Sequence, residues 1–367
     1  MPLKESYVIW NNKGGVGKTT LTFHMATQYA KSNPNVNVLV IDLCPQANVS
    51  MALLSSPEKE GDELLASLYE KNSTISLYLE KQLDLGAKVL YARNYLTCVK
   101  EYNKQVTENV FLLCGDMCLE LATRGLDYFR RGGDTPRVQP WKTVTTSIRS
   151  FIEGSEKGIE GVSQDDHQWV VFIDTNPSFS IYTEIALAAA NKLIIPINAD
   201  DFSKQAVRAM LDLVYGIAPE GQPDDFAAYR KYTFSHNMKE YKLHPPKIHL
   251  LINNRTTTIY KRSAKVFRFM GDENLRVLHK AYQQHSECFT PCEAAVIEDI
   301  DAFKKKYFAD VGDFHTHAIL SLHSGCPLGS LSGSVSFGEE GNSAEVQVDL
   351  KKKQNYLTWL KKVVEML

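Results

Sequence analysis

Apolar residues recur in short, nearly continuous runs along the first 255 positions, and each run ends in a polar or glycine-rich stretch. Continuous apolar runs are typical of parallel strands that are buried on both faces. Several stretches between the runs space their apolar residues three or four positions apart, which predicts helices. The pattern therefore predicts an α/β fold with a mainly parallel β-sheet flanked by helices. The predicted strands cover residues 7–10, 36–42, 109–114, 168–174, 193–197 and 247–253, and the clearest predicted helices cover 18–32, 183–192 and 200–217.

One long region departs from this alternation of strand and helix. Residues 49–168 are mostly polar with a helical pattern, and they are more than a minimal domain of this kind needs. We interpret them as a helical elaboration of a single domain that covers residues 1–367. Within them, residues 141–152 have a helical pattern, and residues 154–167 are polar and contain glycine, which indicates a surface linker.

The C-terminal region, at about residues 321–367, starts with a stretch rich in glycine and serine. Alternating apolar side chains on either side of a Gly-Glu-Glu-Gly-Asn turn predict a β-hairpin. The last residues place their leucines and valines in one stripe of an amphipathic helix, whose other face carries lysines. The hairpin positions are Val335, Phe337, Val346 and Val348, and the stripe consists of Leu350, Leu357, Leu360, Val364 and Leu367.

A glycine-rich loop joins the first predicted strand to the first predicted helix, where residues 13–20 read KGGVGKTT. Its glycines let successive backbone N–H groups converge, and the N-terminus of the helix adds the positive end of its dipole, so the loop is suited to bind phosphates. Lys18 is placed to reach the β- and γ-phosphates of a nucleotide, and the Thr19 hydroxyl suits a Mg²⁺ ion.

Two of the predicted strands end in aspartate, namely Asp42 and Asp174. Open α/β sheets bind ligands at the carboxyl ends of their strands. In phosphate-loop proteins a carboxylate that follows an apolar strand takes part in holding the metal ion. We therefore expect Thr19 and Asp174 to serve Mg²⁺, and Asp42 to lie at the ligand-binding edge of the sheet.

The loop departs from the common phosphate-loop pattern, because Asn12 stands where a glycine is usual and Lys13 begins the loop. In this respect it resembles the deviant Walker A motif of the ParA/MinD family of P-loop ATPases. The resemblance implies that Lys18 contacts the ATP of its own subunit, whereas Lys13 crosses a dimer interface to the ATP of the partner. It covers residues 6–255 by motif.

After the second strand the resemblance includes the family's Asp-x-Asp-Pro-Gln motif, but Cys44 stands in place of its second aspartate. In similar proteins that aspartate helps to orient the attacking water, and the resemblance implies that Asp42 serves the shell of the Mg²⁺ ion. A neutral thiol has no carboxylate oxygens for this water, so we expect slow hydrolysis. The catalytic positions implied by the resemblance are Lys13, Lys18, Asp42 and Cys44.

Further along the chain, the resemblance implies that Pro177 belongs to a segment that senses the γ-phosphate, and that Asn253 recognises adenine. Asn254 adjoins Asn253, and either amide could instead cap a turn. The nucleotide-binding residues expected from loop and resemblance together are Gly14, Gly15, Val16, Gly17, Lys18, Thr19, Thr20, Pro177 and Asn253, and the implied cofactors are ATP and Mg²⁺.

Composition adds few constraints. A net charge of −2 at pH 7 gives no global sign of nucleic-acid binding. The seven cysteines are scattered and the first residues do not form a signal peptide, so we expect reduced thiols and a cytoplasmic location. Two Cys-x₃-Cys pairs, 114/118 and 288/292, would place their thiols on one helix face but lack the spacing of a zinc site. No apolar run approaches the roughly 18 residues that a membrane span needs.

The resemblance implies a homodimer that forms with ATP, a ParB-like or adaptor partner, and the positioning or partitioning of DNA or protein cargo over the nucleoid. Because the first strand begins at residue 6, we expect no helix-turn-helix ahead of it and no operator binding. Alternatives are a MinD-like ATPase held at a membrane by the C-terminal helix, and a P-loop regulatory or metal-cluster-carrier protein. Nonspecific DNA binding would use Arg255, Lys261, Arg262, Lys265 and Arg268, with Lys351, Lys352 and Lys353 in reserve.

Overall fold

The structure is a computed structural model of the full chain. It describes residues 3–56, 61–83, 90–131, 139–153, 159, 167–198, 200–218, 231–256, 261–290, 296–312, 314–337 and 344–367. Within these ranges, side chains are described except at positions 83, 201–202, 255–256, 261–270, 315, 337 and 344.

Eight strands of the described chain form one sheet in the order β3-β4-β2-β5-β1-β6-β7-β8. All neighbours pair in parallel except β3, which runs antiparallel to β4 at one edge. This confirms the predicted α/β fold with a mainly parallel sheet. The strands are β1 Leu3–Ile9, β2 Val36–Leu43, β3 Thr97–Cys98, β4 Val110–Leu113, β5 Gln168–Thr175, β6 Lys192–Asn198, β7 Lys247–Thr256 and β8 Phe308–Gly312.

Helices cover both faces of this sheet, and two apolar clusters fill the space beneath them. In β1, Val8 belongs to one cluster while Tyr7 and Ile9 belong to the other, because successive side chains of a strand point to opposite faces. Burial on both faces explains why the central strands are continuously apolar. The longer helices are Lys18–Ser32, Gly61–Glu70, Ile75–Leu83, Cys118–Arg130, Ile181–Ala189, Asp201–Met210, Lys261–Gln284, Ile300–Tyr307, His315–His323 and Leu350–Glu365.

Shorter helices are Asn48–Leu54, Val99–Tyr102, Pro140–Thr145, Ser147–Glu153 and Phe234–Glu240. The predicted helix over residues 141–152 is therefore divided in two. The antiparallel strand β3 was not foreseen, because two residues are too few to show a period. The strand β8 was also missed, because its five residues, FADVG, include an exposed aspartate and a glycine and form no apolar run.

The expectation that Cys114 and Cys118 share a helix face is wrong. Cys114 lies at the end of β4 and bridges to Thr74, whereas Cys118 is the first residue of the helix Cys118–Arg130. The turn at Gly115 separates the two thiols. Cys292 of the second pair lies outside the described residues.

The C-terminal segment forms a hairpin and a helix. β9 Ser334–Phe337 pairs antiparallel with β10 Ala344–Gln347, and Val335 lies opposite Val346. The helix Leu350–Glu365 packs its apolar face against the helix Lys18–Ser32 and β8. Leu350 does not belong to that face, because it is 59% exposed. The residues of the helix that are buried are Tyr356, Leu357, Leu360, Val363 and Val364.

A histidine is buried in the helix that follows the glycine-rich loop. His24 is fully inaccessible to solvent and lies between the rings of Phe23 and Phe314. Neither ring nitrogen has a hydrogen-bond partner among the described residues. Burial lowers the pKa of His24 from 6.5 to about 3, so the ring stays neutral in the folded chain.

His24→Leu should make the fold less sensitive to acid. In the unfolded chain His24 takes up a proton below about pH 6.5, whereas in the folded chain it does not, so stability falls as the pH falls through this range. Between pH 7 and pH 5 this contributes about 2 kcal/mol, and urea unfolding at both pH values should show a loss smaller by that amount in His24→Leu. His236→Leu, at an exposed position, is the control and should leave the pH dependence unchanged.

Candidate functional site

The glycine-rich loop lies at the carboxyl end of β1, in the centre of the sheet. Gly15 and Gly17 have φ angles of 70° and 86°, which side chains with a Cβ rarely adopt. Gly17 also has no room for a side chain, because a Cβ there would lie 2.2 Å from the amide nitrogen of Asn254. Asn254 in turn donates to the carbonyl of Val16 at 3.0 Å. The side chain of Asn254, near the end of β7, thus holds the loop in place.

Lys18 lies inside the loop. Its ammonium group donates to the carbonyls of Asn11 and Lys13 at 3.2 and 3.0 Å. The residue is only 7% exposed, and burial lowers the pKa of Lys18 from 10.5 to about 8, although the carboxylate of Asp174 acts in the opposite direction. A cation held by backbone carbonyls at the mouth of such a loop is available to an incoming phosphate.

Lys13 points in a different direction. Its ammonium group forms an ion pair with Asp200, which precedes the helix Asp201–Met210, and lies 3.5 Å from the hydroxyl of Ser203. Burial alone would raise the pKa of Asp200, but the hydrogen bonds from Lys13 and Ser203 outweigh it and hold the pKa below its ordinary value. In a single chain, Lys13 is therefore held by a carboxylate of the same chain.

Asp174 lies at the end of β5, beside the first turn of the helix Lys18–Ser32. One carboxylate oxygen accepts a hydrogen bond from the Thr19 hydroxyl at 2.8 Å, and the other accepts one from Thr22 at 3.1 Å. The two residues that we expected to share a metal ion, Thr19 and Asp174, are thus in direct contact.

Asp42 lies at the end of β2, next to Asp174 in the register of the sheet. One of its oxygens accepts from the backbone N–H of Cys44 at 3.1 Å. The other accepts from both the backbone N–H and the hydroxyl of Ser50, at 3.0 and 2.7 Å. Three of the roughly four acceptor sites of this buried carboxylate are thereby filled.

Gly115 completes the surroundings of Asp42. Its N–H donates to the Ser50 hydroxyl at 2.9 Å, and a Cβ at this position would lie 2.8 Å from the carboxyl carbon of Asp42. Ser50, Gly115 and Asp200 were not among the predicted site residues. A glycine directly after the strand run 109–114 was a usable signal for Gly115, whereas nothing in the sequence identified the other two.

The two aspartates form a carboxylate pair without a cation between them in the described residues. Both are completely buried, and burial raises the pKa of each above the usual range. Repulsion by Asp174 adds to the rise for Asp42, whereas hydrogen bonds from Thr19 and Thr22 and the charge of Lys18 act against the rise for Asp174. A proton or a metal ion stabilises a buried pair of carboxylates, because it offsets their negative charge. Mg²⁺ prefers oxygen ligands, and the carboxylates and the Thr19 hydroxyl provide them. The residues present therefore fit a magnesium ion bound at Thr19.

A family profile described as an AAA domain, of the ParA/MinD type, matches residues 5–118 and 157–224. These two segments contain the glycine-rich loop, both strand-end aspartates and Cys44. The chain belongs to the ParA-like family. It is therefore a P-loop protein of a nucleotide-binding family.

Curated relatives of this ParA-like chain are distant. An uncharacterized protein of Methanocaldococcus jannaschii is 25% identical over 207 residues, which are 56% of this chain and 63% of the relative. An uncharacterized protein of Pseudomonas putida is 25% identical over 218 residues, which are 59% of this chain and 65% of the relative. The matches thus cover less than two thirds of either relative.

Solved structures show the same fold. An ATP complex of a McdA variant from Cyanothece has a TM-score of 0.53 and 16% identity, and the alignment covers 90% of both chains. A putative plasmid partition protein from Borrelia burgdorferi, bound to AMPPNP, has a TM-score of 0.50 and 14% identity over 100% of both chains. At these identities the likeness concerns the fold of the ParA-like chain.

Cys44, the departure from the ParA-like motif, is 5% exposed. Burial, and then the carboxylates of Asp42 and Asp174, raise the pKa of the Cys44 thiol to about 12. The thiol is therefore neutral at pH 7 and offers no negative charge to a water molecule. Its backbone N–H, which holds Asp42, does not depend on the side chain.

The remaining predicted residues lie around the loop at different distances from it. Pro177 lies beside the loop, since a Cβ built at Gly14 would lie 3.8 Å from its ring. Thr20 lies in the first turn of the helix, next to Thr19. Asn253 is 2% exposed and donates to Asp310 at 2.8 Å, but its buried carbonyl oxygen has no partner among the described residues. An unsatisfied acceptor of this kind fits an amino group such as that of adenine.

Of the described helices, none is long and apolar enough to span a bilayer.

Proposed function

We propose that this ParA-like chain is a Mg²⁺-dependent ATPase that binds ATP at the loop of residues 13–20, dimerises around it and hydrolyses it slowly. The observation that carries this proposal is the meeting of Thr19, Asp42 and Asp174 at the mouth of a loop that already holds Lys18. The phosphates would meet the ammonium group of Lys18, and the metal ion would meet Thr19 and the two aspartates. Neither would require a rearrangement of the strands.

Each residue would take a distinct part in binding. The amides of the loop and Lys18 would hold the phosphates, and Asn253 would accept a hydrogen bond from the base. Thr19 would contribute its hydroxyl to Mg²⁺, with Asp42 and Asp174 in the surrounding shell. Bound Mg²⁺ would neutralise part of the charge of the phosphates. Hydrogen bonds from Ser50 would orient Asp42 and oppose the rise of its pKa, and Gly115 would leave room for its carboxylate.

The ion pair between Lys13 and Asp200 supports a dimer in which Lys13 changes partner. In a single chain Lys13 is about one-fifth exposed and is already paired. A nucleotide carries roughly four negative charges and therefore offers a stronger anion than one carboxylate. We propose that Lys13 leaves Asp200 when the ATP of a second copy comes within reach.

Lys13→Ala should separate dimerisation from nucleotide binding. The variant should bind a fluorescent ATP analogue with an affinity within about threefold of wild type, because Lys18 and the loop amides remain. Its ATP-dependent dimer should weaken at least about tenfold, which corresponds to the loss of one charge-assisted contact of about 1.5 kcal/mol. Sedimentation with Mg·ATP would measure both species.

A matched control is Lys204→Ala, which removes a lysine that pairs with Glu273 on the neighbouring helix. It should dimerise like wild type. Equal dimerisation of wild type and Lys13→Ala would contradict the role of Lys13 across the interface.

We also propose that the chain positions a cargo. The Borrelia burgdorferi protein of the same fold is a putative plasmid partition protein, which favours the positioning of DNA or of protein cargo, with a ParB-like or adaptor partner. Of the DNA-binding candidates, the side chains of Arg255, Lys261, Arg262, Lys265 and Arg268 lie outside the described residues, and Lys351 and Lys352 are exposed at the start of the C-terminal helix.

The alternatives receive less support. A membrane-held protein would need a free apolar helix face, but the apolar side chains of the helix Leu350–Glu365 are packed against the body of the chain. A metal-cluster carrier would need two cysteines of each chain near the dimer axis, and a purified protein without colour would argue against it.

A further inference from the structure

A cavity of about 1080 Å³ lies beside the first turn of the helix Lys18–Ser32. This volume is at the upper end of the range for small-molecule sites. Thr19 and Thr20 form one end of the cavity. One wall is the helix Asn48–Leu54, and the opposite wall is the segment 322–336. The second wall lies outside the two segments that match the family profile.

The strand β9 presents its edge to this cavity. Ser334, Val335 and Ser336 all line it, although successive side chains of a strand point to opposite faces. Three consecutive residues can share one wall only if the backbone edge of the strand faces the space. In the part of the chain that the structure describes, β9 pairs with β10 alone, so its other edge has no strand neighbour. An edge of this kind is a template for another extended chain.

The lining is polar but carries little charge. Serine hydroxyls and the amides of Asn48 and Gln105 surround an apolar floor that includes Met51 and Leu331. Among the described lining residues, Asp62 is the sole carboxylate and neither lysine nor arginine occurs. A polyanion such as DNA would meet no cation here, whereas a neutral or basic peptide would be complementary to Asp62.

The helix that forms the first wall also holds Asp42. Met51, Asn48 and Ala52 face the cavity, while Ser50 on the same helix donates twice to the Asp42 carboxylate. The helix is seven residues long and begins four residues after Cys44. Any displacement of this helix by an occupant of the cavity therefore moves the hydrogen-bond donors of Asp42.

We infer that the cavity is a docking groove for an extended peptide segment of a partner protein, which adds as a strand to the free edge of β9 and acts on Asp42 through Ser50. The main chain of the peptide pairs with β9, its alternate side chains meet the apolar floor, and a basic side chain meets Asp62. The regulatory half of this inference rests on the proposed ATPase function, whereas the binding half does not.

The binding half is tested without nucleotide. Twelve-residue peptides selected from a phage-displayed library on the full chain are synthesised with a fluorophore, and their affinities are measured by anisotropy. Ser332→Trp places a large side chain at an exposed position of the groove and should weaken binding at least tenfold. Ile319→Trp, at a residue that is 62% exposed and does not line the groove, is the matched control and should bind within twofold of wild type.

Strand addition has its own readout. Methylation of alternate backbone nitrogens removes the N–H groups on one edge of a peptide strand, so one of the two methylated registers should lose binding at least tenfold and the other should keep it. If neither register matters, or if Ser332→Trp binds the selected peptides like wild type, the groove does not accept a strand and the inference is overturned. A selection that yields no peptide overturns it as well.

The regulatory half is tested by single-turnover hydrolysis of ATP. Saturating peptide should change the rate at least threefold in wild type and leave Ser332→Trp unchanged. Hydrolysis that ignores a bound peptide overturns the link through Ser50. A chain that binds the peptide but fails to bind ATP contradicts the proposed function instead, so the two failures are distinguishable.

Discussion

Lys18→Ala is expected to weaken the binding of ATP at least about a hundredfold. The ammonium group of Lys18 now donates to two backbone carbonyls, and an incoming phosphate would replace them with charge-assisted bonds. Two such bonds at about 1.5 kcal/mol each correspond to a factor of more than one hundred. Calorimetric titration with Mg·ATP would measure the change, and Lys31→Ala, at an exposed lysine of the same helix, is the control.

The same residue gives ATP binding a pH dependence. Because the pKa of Lys18 is lowered to about 8, the loop loses its ammonium charge as the pH rises through that value. Affinity for ATP should therefore fall above pH 8, by up to about tenfold for each further pH unit. Lys18→Arg keeps its charge and should show a flatter profile. A wild-type affinity that is the same at pH 7 and pH 9.5 would contradict this account of Lys18.

Cys44→Asp is expected to raise the rate of ATP hydrolysis in a single turnover by at least about tenfold. The neutral thiol carries no negative charge at the position where similar proteins have an aspartate, whereas a carboxylate there could accept a hydrogen bond from the attacking water. One positioning group is typically worth on the order of 10²–10³ in rate, and tenfold is a cautious fraction of this. Rapid-quench measurements with saturating Mg·ATP would determine the rate.

Cys44→Asn separates shape from charge in this experiment. Asparagine has nearly the size of aspartate but stays neutral, so it should hydrolyse ATP as slowly as wild type. The binding of ATP should be similar in all three proteins, because the N–H of residue 44 that holds Asp42 belongs to the backbone. If Cys44→Asp is no faster than wild type, this chain places its water by other residues.

The fold was predictable because the central strands are buried on both faces. Apolar runs such as 36–42 and 168–174 have few alternatives once length and flanking turns are considered, and both became strands within one or two residues of the predicted bounds. The helix predicted over residues 18–32 has the same bounds in the structure. The phosphate-binding loop was predictable as well, because a strand, a glycine-rich stretch and a helix rarely follow one another in this order by chance.

Partners that come from distant parts of the chain were not predictable. Asp200 meets Lys13 across 187 positions, and nothing near either residue indicates the other. The sequence around Ser50 predicts only a serine on a helix, and its hydrogen bond to Asp42 depends on how that helix packs against the sheet. The position of Leu350 was misjudged for a related reason. It fits the helical stripe by spacing, but the chain enters the helix at Asp349, which caps it, so the first turn projects beyond the core.

The pairing of Lys13 with Asp200 has a consequence for how assembly responds to salt. A lysine that was free in solution would shed its hydration and counterions to reach the phosphates of a second subunit, and ions would weaken that attraction. Lys13 instead exchanges the carboxylate of Asp200 for the phosphates of the second subunit. Salt therefore weakens both the ion pair that Lys13 leaves and the contact that it gains. The two effects oppose each other, so association through Lys13 depends less steeply on ionic strength than it would for an unpaired lysine.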